Sequence, residues 1–201
     1  MLTLYHAPQS RSFRILWLLE ELGEPYDIKI VPIRRRGGAG EPAGEDYRRI
    51  HPHLKVPAIA HDGVPVFETG AICLYLTDAF PRAGIGPLIG DPERAPYVTW
   101  LAYAGGVFEP ALIAKAMGWE HQYGPFGWAP AEEVIAHLSR ALEAGPYLLG
   151  KKFSATDIIY GGAMGMMIGA KMIPDTKLFT DYAARATDRP AFKRAQEKDA
   201  G

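Results

Sequence analysis

Within its first 33 residues the chain places two strand-forming runs on either side of one amphipathic helix. Leu2-Thr3-Leu4-Tyr5 is short and rich in strand formers. After the loop His6-Ala7-Pro8-Gln9-Ser10, the apolar residues Phe13, Leu16, Trp17, Leu19 and Leu22 recur at helical spacing until Gly23, and residues 27–33 read as a second strand. Strands joined through a helix pair in parallel, and the crossover has one favoured hand. The chain therefore begins with a strand-helix-strand unit.

The next fifty residues narrow the choice. Residues 34–44 read as a loop in which Arg34-Arg35-Arg36 runs into Gly37-Gly38-Ala39-Gly40, a pattern that predicts a solvated basic run. A short helix is expected over 45–50. Pro57-Ala58-Ile59-Ala60-His61 and Val64-Pro65-Val66-Phe67 flank Asp62-Gly63, a two-residue hairpin signal. Helical pattern returns at Thr69 and ends before Pro81. The order β-α-β-α-β-β-α is the thioredoxin-like arrangement. The Gly- and Pro-rich residues 81–92 lack periodicity and read as a linker. Beyond them only helices are expected, over 93–117, 130–144, 154–170 and 176–186, with a short one after Pro190. The expected class is thus α/β plus all-α, with a thioredoxin-like N-terminal domain over 1–80, the linker 81–92, and a helical-bundle C-terminal domain over 93–201.

Composition removes several functions. The formal net charge of −1 gives no reason to expect a nucleic-acid partner. The single cysteine, Cys73, excludes an internal disulfide and any CxxC motif; set among Ile72, Leu74 and Leu76, it reads as a buried, inert thiol. The histidines show no metal-ligand spacing, so no metal is expected. The N-terminus does not read as a signal peptide, and the apolar run 158–170 is too short to span a bilayer, so no membrane association is expected and the cytoplasm is the default location.

Three constellations carry possible chemistry. Val56-Pro57 opens a strand, one of the few places a sheet tolerates proline. In a thioredoxin-like order a cis bond there turns the Val56 backbone outward to pair with an extended peptide. In Phe67-Glu68-Thr69-Gly70-Ala71, Thr69 is expected to cap a helix whose first-turn N–H groups make an anion site, while Glu68 can take an ammonium group. The pair suits an α-amino acid terminus. Ser10, with Arg14 one turn on, is either a plain N-cap or a hydroxyl donor to a substrate sulfur at a helix N-terminus, where thiolate is favoured over thiol. Ser154-Ala155-Thr156-Asp157 reads as a structural capping box, and Gly161, Gly165 and Gly169 as a face for close helix packing.

Residues 5–21, His51-Pro52-His53-Leu54-Lys55-Val56-Pro57-Ala58 and Phe67-Glu68-Thr69-Gly70-Ala71-Ile72 resemble segments of the cytosolic glutathione transferases, bacterial-type. The likeness continues weakly through Gly150-Lys151-Lys152-Phe153-Ser154-Ala155-Thr156-Asp157 and Arg189-Pro190-Ala191. The resemblance implies that Val56 and Pro57 hold the cysteinyl part of glutathione, that Glu68 and Thr69 hold its γ-glutamyl end, and that Lys55 helps with the glycyl carboxylate. Ser10 through Arg14 matches the Ser-x-x-x-Arg pattern of the serine-type classes, which assigns Ser10 to the thiolate; Tyr5, near the tyrosine of other classes, is its rival. Leu54 stands where many relatives have Gly or His, and His51 where many have Asn. The absence of a cysteine in the loop argues against the disulfide-exchanging branch. The implied activity is transfer of glutathione to a hydrophobic electrophile in a cytoplasmic homodimer, a detoxification role, with glutathione as co-substrate. The electrophile pocket is expected among the aromatics after residue 99, with Tyr103, Phe108 and Trp119 as its lining. The alternatives are a non-catalytic ligand- or protein-binding module and a glutathione-dependent peroxidase or isomerase.

Overall fold

β1 (Leu2–His6) pairs in parallel with β2 (Tyr26–Ile30), Leu4 opposite Ile28, and antiparallel with β3 (Ala58–His61), Leu4 opposite Ile59. β4 (Val64–Phe67) adds antiparallel to β3, giving one four-stranded sheet in the order β2-β1-β3-β4. The computed structural model describes residues 1–35, 38 and 40–200; Arg36, Gly37 and Ala39 of the basic loop lie outside the described residues. The chain divides into two units, residues 1–83 with 190–201, and residues 84–189.

In the first unit, α1 (Phe13–Leu22) is the expected crossover. Gly23 ends it in the left-handed conformation, φ 69°, donating to the Leu19 carbonyl, as a residue without Cβ does most cheaply. Ile15, Leu16, Trp17, Leu18 and Leu19 are fully buried with Leu4 and Ile59. The β3–β4 turn has positive φ at both Asp62 and Gly63, the geometry Asp-Gly favours. α2 (Thr69–Ala79) buries Ile72, Cys73 and Leu76. The segment Glu45–Arg49 is 3-10 rather than α-helical.

α8 (Pro190–Ala200) belongs to this unit. Chain position alone assigns it to the helical domain; its contacts are with α1. The Phe192 ring meets Phe13 and Trp17 edge-on at 5.5 and 4.9 Å. Arg194 and Lys198 both reach the buried Glu20 carboxylate.

The second unit is helical: α3 (Arg94–Tyr103), α4 (Glu109–Ala116), α5 (Ala131–Glu143), α6 (Ala155–Gly169) and α7 (Lys177–Thr187). The single helix expected over 93–117 is interrupted by a π-turn at Ala104–Phe108 that contains Gly105 and Gly106, weak helix formers. α6 is central. Its capping box is formed, with Ser154 N–H donating to Asp157 Oδ2 at 2.9 Å and Thr156 N–H to Ser154 Oγ at 3.3 Å. Asp157 also accepts from Leu148 N–H and the Tyr182 hydroxyl. Of the three glycines expected to allow close packing, Gly161 alone does so: a Cβ there would come within 2.5 Å of Ala186 Cβ, whereas Gly165 and Gly169 face open space.

Among the described residues, no helix is long and apolar enough to cross a membrane, and no group of three His, Cys, Asp or Glu side chains is placed to hold a metal ion.

Candidate active site

The loop between β1 and α1 is held from several sides. Ser12, not Ser10, is the residue at the helix N-cap, and its hydroxyl caps nothing in the helix. It turns back, accepting from Ala7 N–H at 3.1 Å and lying 2.8 Å from His6 Nδ1. Arg35 donates to the Pro8 carbonyl at 2.8 Å. Gln9 N–H donates to the Asp199 carboxylate of α8. These ties hold Gln9 at φ 54°, a region that costs a non-glycine residue about 1–2 kcal/mol.

So fixed, half-buried Ser10 faces a cleft of about 480 Å³, which Arg11, Arg34, Arg48, Leu54, Lys55 and Val56 also line. Ser10 Oγ accepts from Ser12 N–H at 3.2 Å and lies 2.8 Å from Ser12 Oγ. Arg48 is paired with Glu45 at 2.6 Å, so among the described lining residues cations remain in excess. That charge suits an anionic ligand. The basic run expected to be merely solvated thus contributes Arg34 to the cleft and Arg35 to the loop.

Val56-Pro57 is a cis peptide. Pro57 is buried and Val56 half-buried. The Lys55 carbonyl accepts from the Tyr47 hydroxyl at 2.9 Å. Tyr47 is pushed well above its usual pKa, first by burial and then by the neighbouring Tyr5. Tyr5 has its ring 5.3 Å from that of Tyr47 and lines an adjoining cavity of about 300 Å³ with Lys29, Val31 and Ala43, the last of which also borders the Ser10 cleft. Ser10 and Tyr5 therefore open into different hollows.

At the head of α2, Glu68 occupies the N-cap with φ 70°, and Thr69 is the first helical residue rather than the cap expected of it. No side chain caps the helix. Glu68 is exposed, and its charge acts on buried His51, whose pKa burial lowers and Glu68 partly restores. Leu54, like Gln9 and Glu68, has positive φ. Such strain persists where surrounding structure imposes it, and it gathers at functional sites.

The aromatics expected to form a second pocket are not brought together. Tyr103 lines a cavity of about 390 Å³ with Glu133, His137 and Arg140. Phe108 is 1% exposed and packs on Tyr160 in the core, while Trp119 is 58% exposed.

Residues 1–78 match the family described as glutathione S-transferase, N-terminal domain. Disulfide-bond oxidoreductase YfcG of Escherichia coli (strain K12) is 30% identical over 176 residues, covering 79% of this chain and 76% of that one. The chain belongs to the glutathione transferase family. Glutathione S-transferase 3 of Schizosaccharomyces pombe is 42% identical over 115 residues, but the match spans 57% of this chain and only 46% of that relative. Among solved structures, the glutathione S-transferase of Actinobacillus pleuropneumoniae superposes with TM-score 0.78 at 27% identity, covering 100% of this chain and 94% of that one. A sphingomonad glutathione S-transferase complexed with glutathione superposes at 0.77 and 25% identity, covering 98% of each chain.

Sequence reasoning missed His6, Ser12 and Asp199. His6 and Ser12 stand in the same loop-flanking stretch as Ser10, but strand and helix spacing say nothing of side chains meeting across a loop. Asp199 gave no signal at all: it is separated from Gln9 by 190 residues.

Proposed function

We propose that this glutathione transferase family member binds glutathione in the cationic cleft of its first unit and ionises the thiol for attack on a hydrophobic electrophile, with the Ser10 hydroxyl as the serine-type hydrogen-bond donor to the thiolate. The observation that carries this reading is that Ser10 shares its cleft with Lys55 and Val56, while Tyr5 opens into another. Val56 and Pro57 take the cysteinyl part of the ligand, Glu68 and Thr69 its γ-glutamyl end, and Lys55 its glycyl carboxylate. An unperturbed thiol, pKa ~8.5, is only a few per cent ionised at neutral pH; lowering it by ~2 units takes roughly 2.7 kcal/mol and makes the sulfur mostly anionic. A hydroxyl donor beside a cationic cleft is the kind of environment that does so. Residues 1–80, joined by α8, then form the glutathione-binding domain, and 81–92 lead out of it. The electrophile pocket is assigned to the helical residues beyond, where Tyr103 lines a cavity of its own unit. A cytoplasmic homodimer acting in detoxification is the setting this reading implies.

The test is a calorimetric titration with glutathione together with turnover of a generic aryl halide. Binding with turnover supports the transferase reading. Binding without turnover favours a non-catalytic ligand- or protein-binding module, and no binding rejects the glutathione site.

A second reading is glutathione-dependent disulfide exchange, favoured by the 30% identity to YfcG. Cys73 cannot serve it: the thiol is buried, and burial pushes its pKa up to about 12. Glutathione would then be the attacking thiol: its thiolate attacks the glutathionyl sulfur of a mixed disulfide, the substrate thiol leaves and takes up the proton, and glutathione disulfide forms. Reduction of a small mixed disulfide by glutathione, measured beside the aryl halide assay, separates the two.

A further inference from the structure

Behind Ser10 the side chains continue inward in a line. Ser10 Oγ is 2.8 Å from Ser12 Oγ, and Ser12 Oγ is 2.8 Å from His6 Nδ1. On the far side of the ring, His6 Nε2 lies 3.0 Å from Asp199 Oδ1, a charge contact bent away from a straight hydrogen bond. The His6 ring is 1% exposed and Ser12 is fully buried, so bulk water does not compete along the line. Only Ser10, at its outer end, meets the cleft.

We propose that Ser12 and His6 form a proton relay behind Ser10, by which the thiol proton of bound glutathione passes to His6 and is held there opposite Asp199. The proposal rests on the glutathione reading above. The S–H bond breaks and its proton goes to Ser10 Oγ, while Ser10 gives its own proton to Ser12 Oγ and Ser12 gives its own to His6 Nδ1. Neutral thiol and neutral imidazole become thiolate and imidazolium, with no proton gained from or lost to solvent. Each hydroxyl then points outward: Ser12 donates to Ser10, and Ser10 donates to the sulfur.

Three features make His6 suited to this part. Burial lowers its pKa, an effect the Asp199 charge only partly opposes, so the ring is neutral and able to accept before the ligand arrives. Asp199 is the charged group that acts on the ring among the described residues. Of the other charges on α8 and in the basic loop, Arg194 and Lys198 pair with Glu20, and Arg35 donates to the Pro8 carbonyl. Asp199 is itself positioned, since Gln9 N–H donates to both of its oxygens at 3.2 and 3.1 Å. The Ser12 hydroxyl is held in place by Ala7 as well, accepting from its N–H and lying within donating distance of its carbonyl, both at 3.1 Å.

The test tracks the proton. Glutathione and S-methylglutathione, which has no thiol proton, are titrated into the protein at pH 7 in two buffers of different ionisation enthalpy, and bound thiolate is read by ultraviolet absorbance. The expected result is thiolate formation with the same proton release for both ligands. In Ser12→Ala, thiolate at pH 7 should fall about ten-fold, or its formation should release about one extra proton to solvent. Asp199→Asn should shift the thiolate titration alkaline, and serves as the second variant should the buried Ser12 site not tolerate change. One extra proton released by glutathione in the unmodified protein overturns the relay while leaving the glutathione site intact. Glutathione that binds as neutral thiol overturns the relay and the role of Ser10 together. Absence of any binding overturns the glutathione reading itself, and the relay with it.

Discussion

Arg194 on α8 donates twice to Glu20 on α1, through Nε to the carboxylate and through Nη2 to the backbone carbonyl, both at 2.8 Å. Lys198 and the Tyr26 hydroxyl complete the shell around the carboxylate. Burial alone raises the Glu20 pKa, but hydrogen bonds from Lys198, Tyr26 and Arg194 more than reverse this and hold it below the usual carboxylate range. A carboxyl depressed in the folded state stabilises the fold above its unfolded pKa, near 4.3, and loses that contribution as pH falls through the folded value. The cations are about half exposed, so screening limits the effect. Glu20→Gln should cost about 1–2 kcal/mol at pH 7. Urea midpoints of the two proteins should converge as pH falls out of the usual carboxylate range and through the depressed folded value; a constant gap would rule out the charge as its source.

Ser10→Ala should lower turnover much more than it weakens glutathione binding, because the sulfur is the one part of the ligand assigned to this hydroxyl. The pH–rate profile should move alkaline, with partial rescue at high pH. Tyr5→Phe should leave both nearly unchanged, since Tyr5 lines a different cavity. Thiolate absorbance against pH in the two variants decides between them: movement in Tyr5→Phe alone would transfer the role to the tyrosine.

Glu68→Ala should weaken glutathione by about 1.5–3 kcal/mol, the value of a hydrogen bond to a charged group. The exposed side chain leaves the fold intact, although alanine inherits the same positive φ. Glu68→Gln separates charge from backbone strain, and it should recover only part of the loss. An unchanged dissociation constant in both would move the γ-glutamyl end elsewhere.

Gly161 and Gly165 stand one turn apart on α6 with opposite surroundings. Gly161→Ala drives a methyl into Ala186 and should destabilise by about 1–3 kcal/mol. Gly165→Ala meets open space and should stabilise by roughly 0.5–1 kcal/mol through helix propensity. Thermal midpoints should move in opposite directions; movement in the same direction would contradict the packing of α6 on α7.

Periodicity and turn chemistry bring the sheet and most helices into view, because a strand's alternation and a helix's apolar stripe are local signals. The Ser154–Asp157 box is legible for the same reason, and the cis bond at Val56-Pro57 from its place in the element order. What escapes is relational. Nothing near Ala104 but a pair of glycines marks the π-turn. Thr69 has the chemistry of a cap, yet the strained turn puts Glu68 there instead. Phe108 and Trp119 look alike as aromatics, but one is core and the other surface, a distinction their neighbours in sequence do not encode. The Asp199–His6–Ser12–Ser10 line needs the assembled unit.

The return of α8 to α1 sets an order of events during synthesis. The loop that carries Ser10 leaves the ribosome before α8, and the aspartate that fastens Gln9 in it emerges 190 residues later. At ~5–20 residues per second that delay is roughly 10–40 s. Until then Trp17 and Glu20 await their cover, and residues 84–189 can form their own unit in between. The nascent chain must therefore keep the earlier-made segment soluble in the interval, and the Ser10 loop gains its final support only once α8 has emerged.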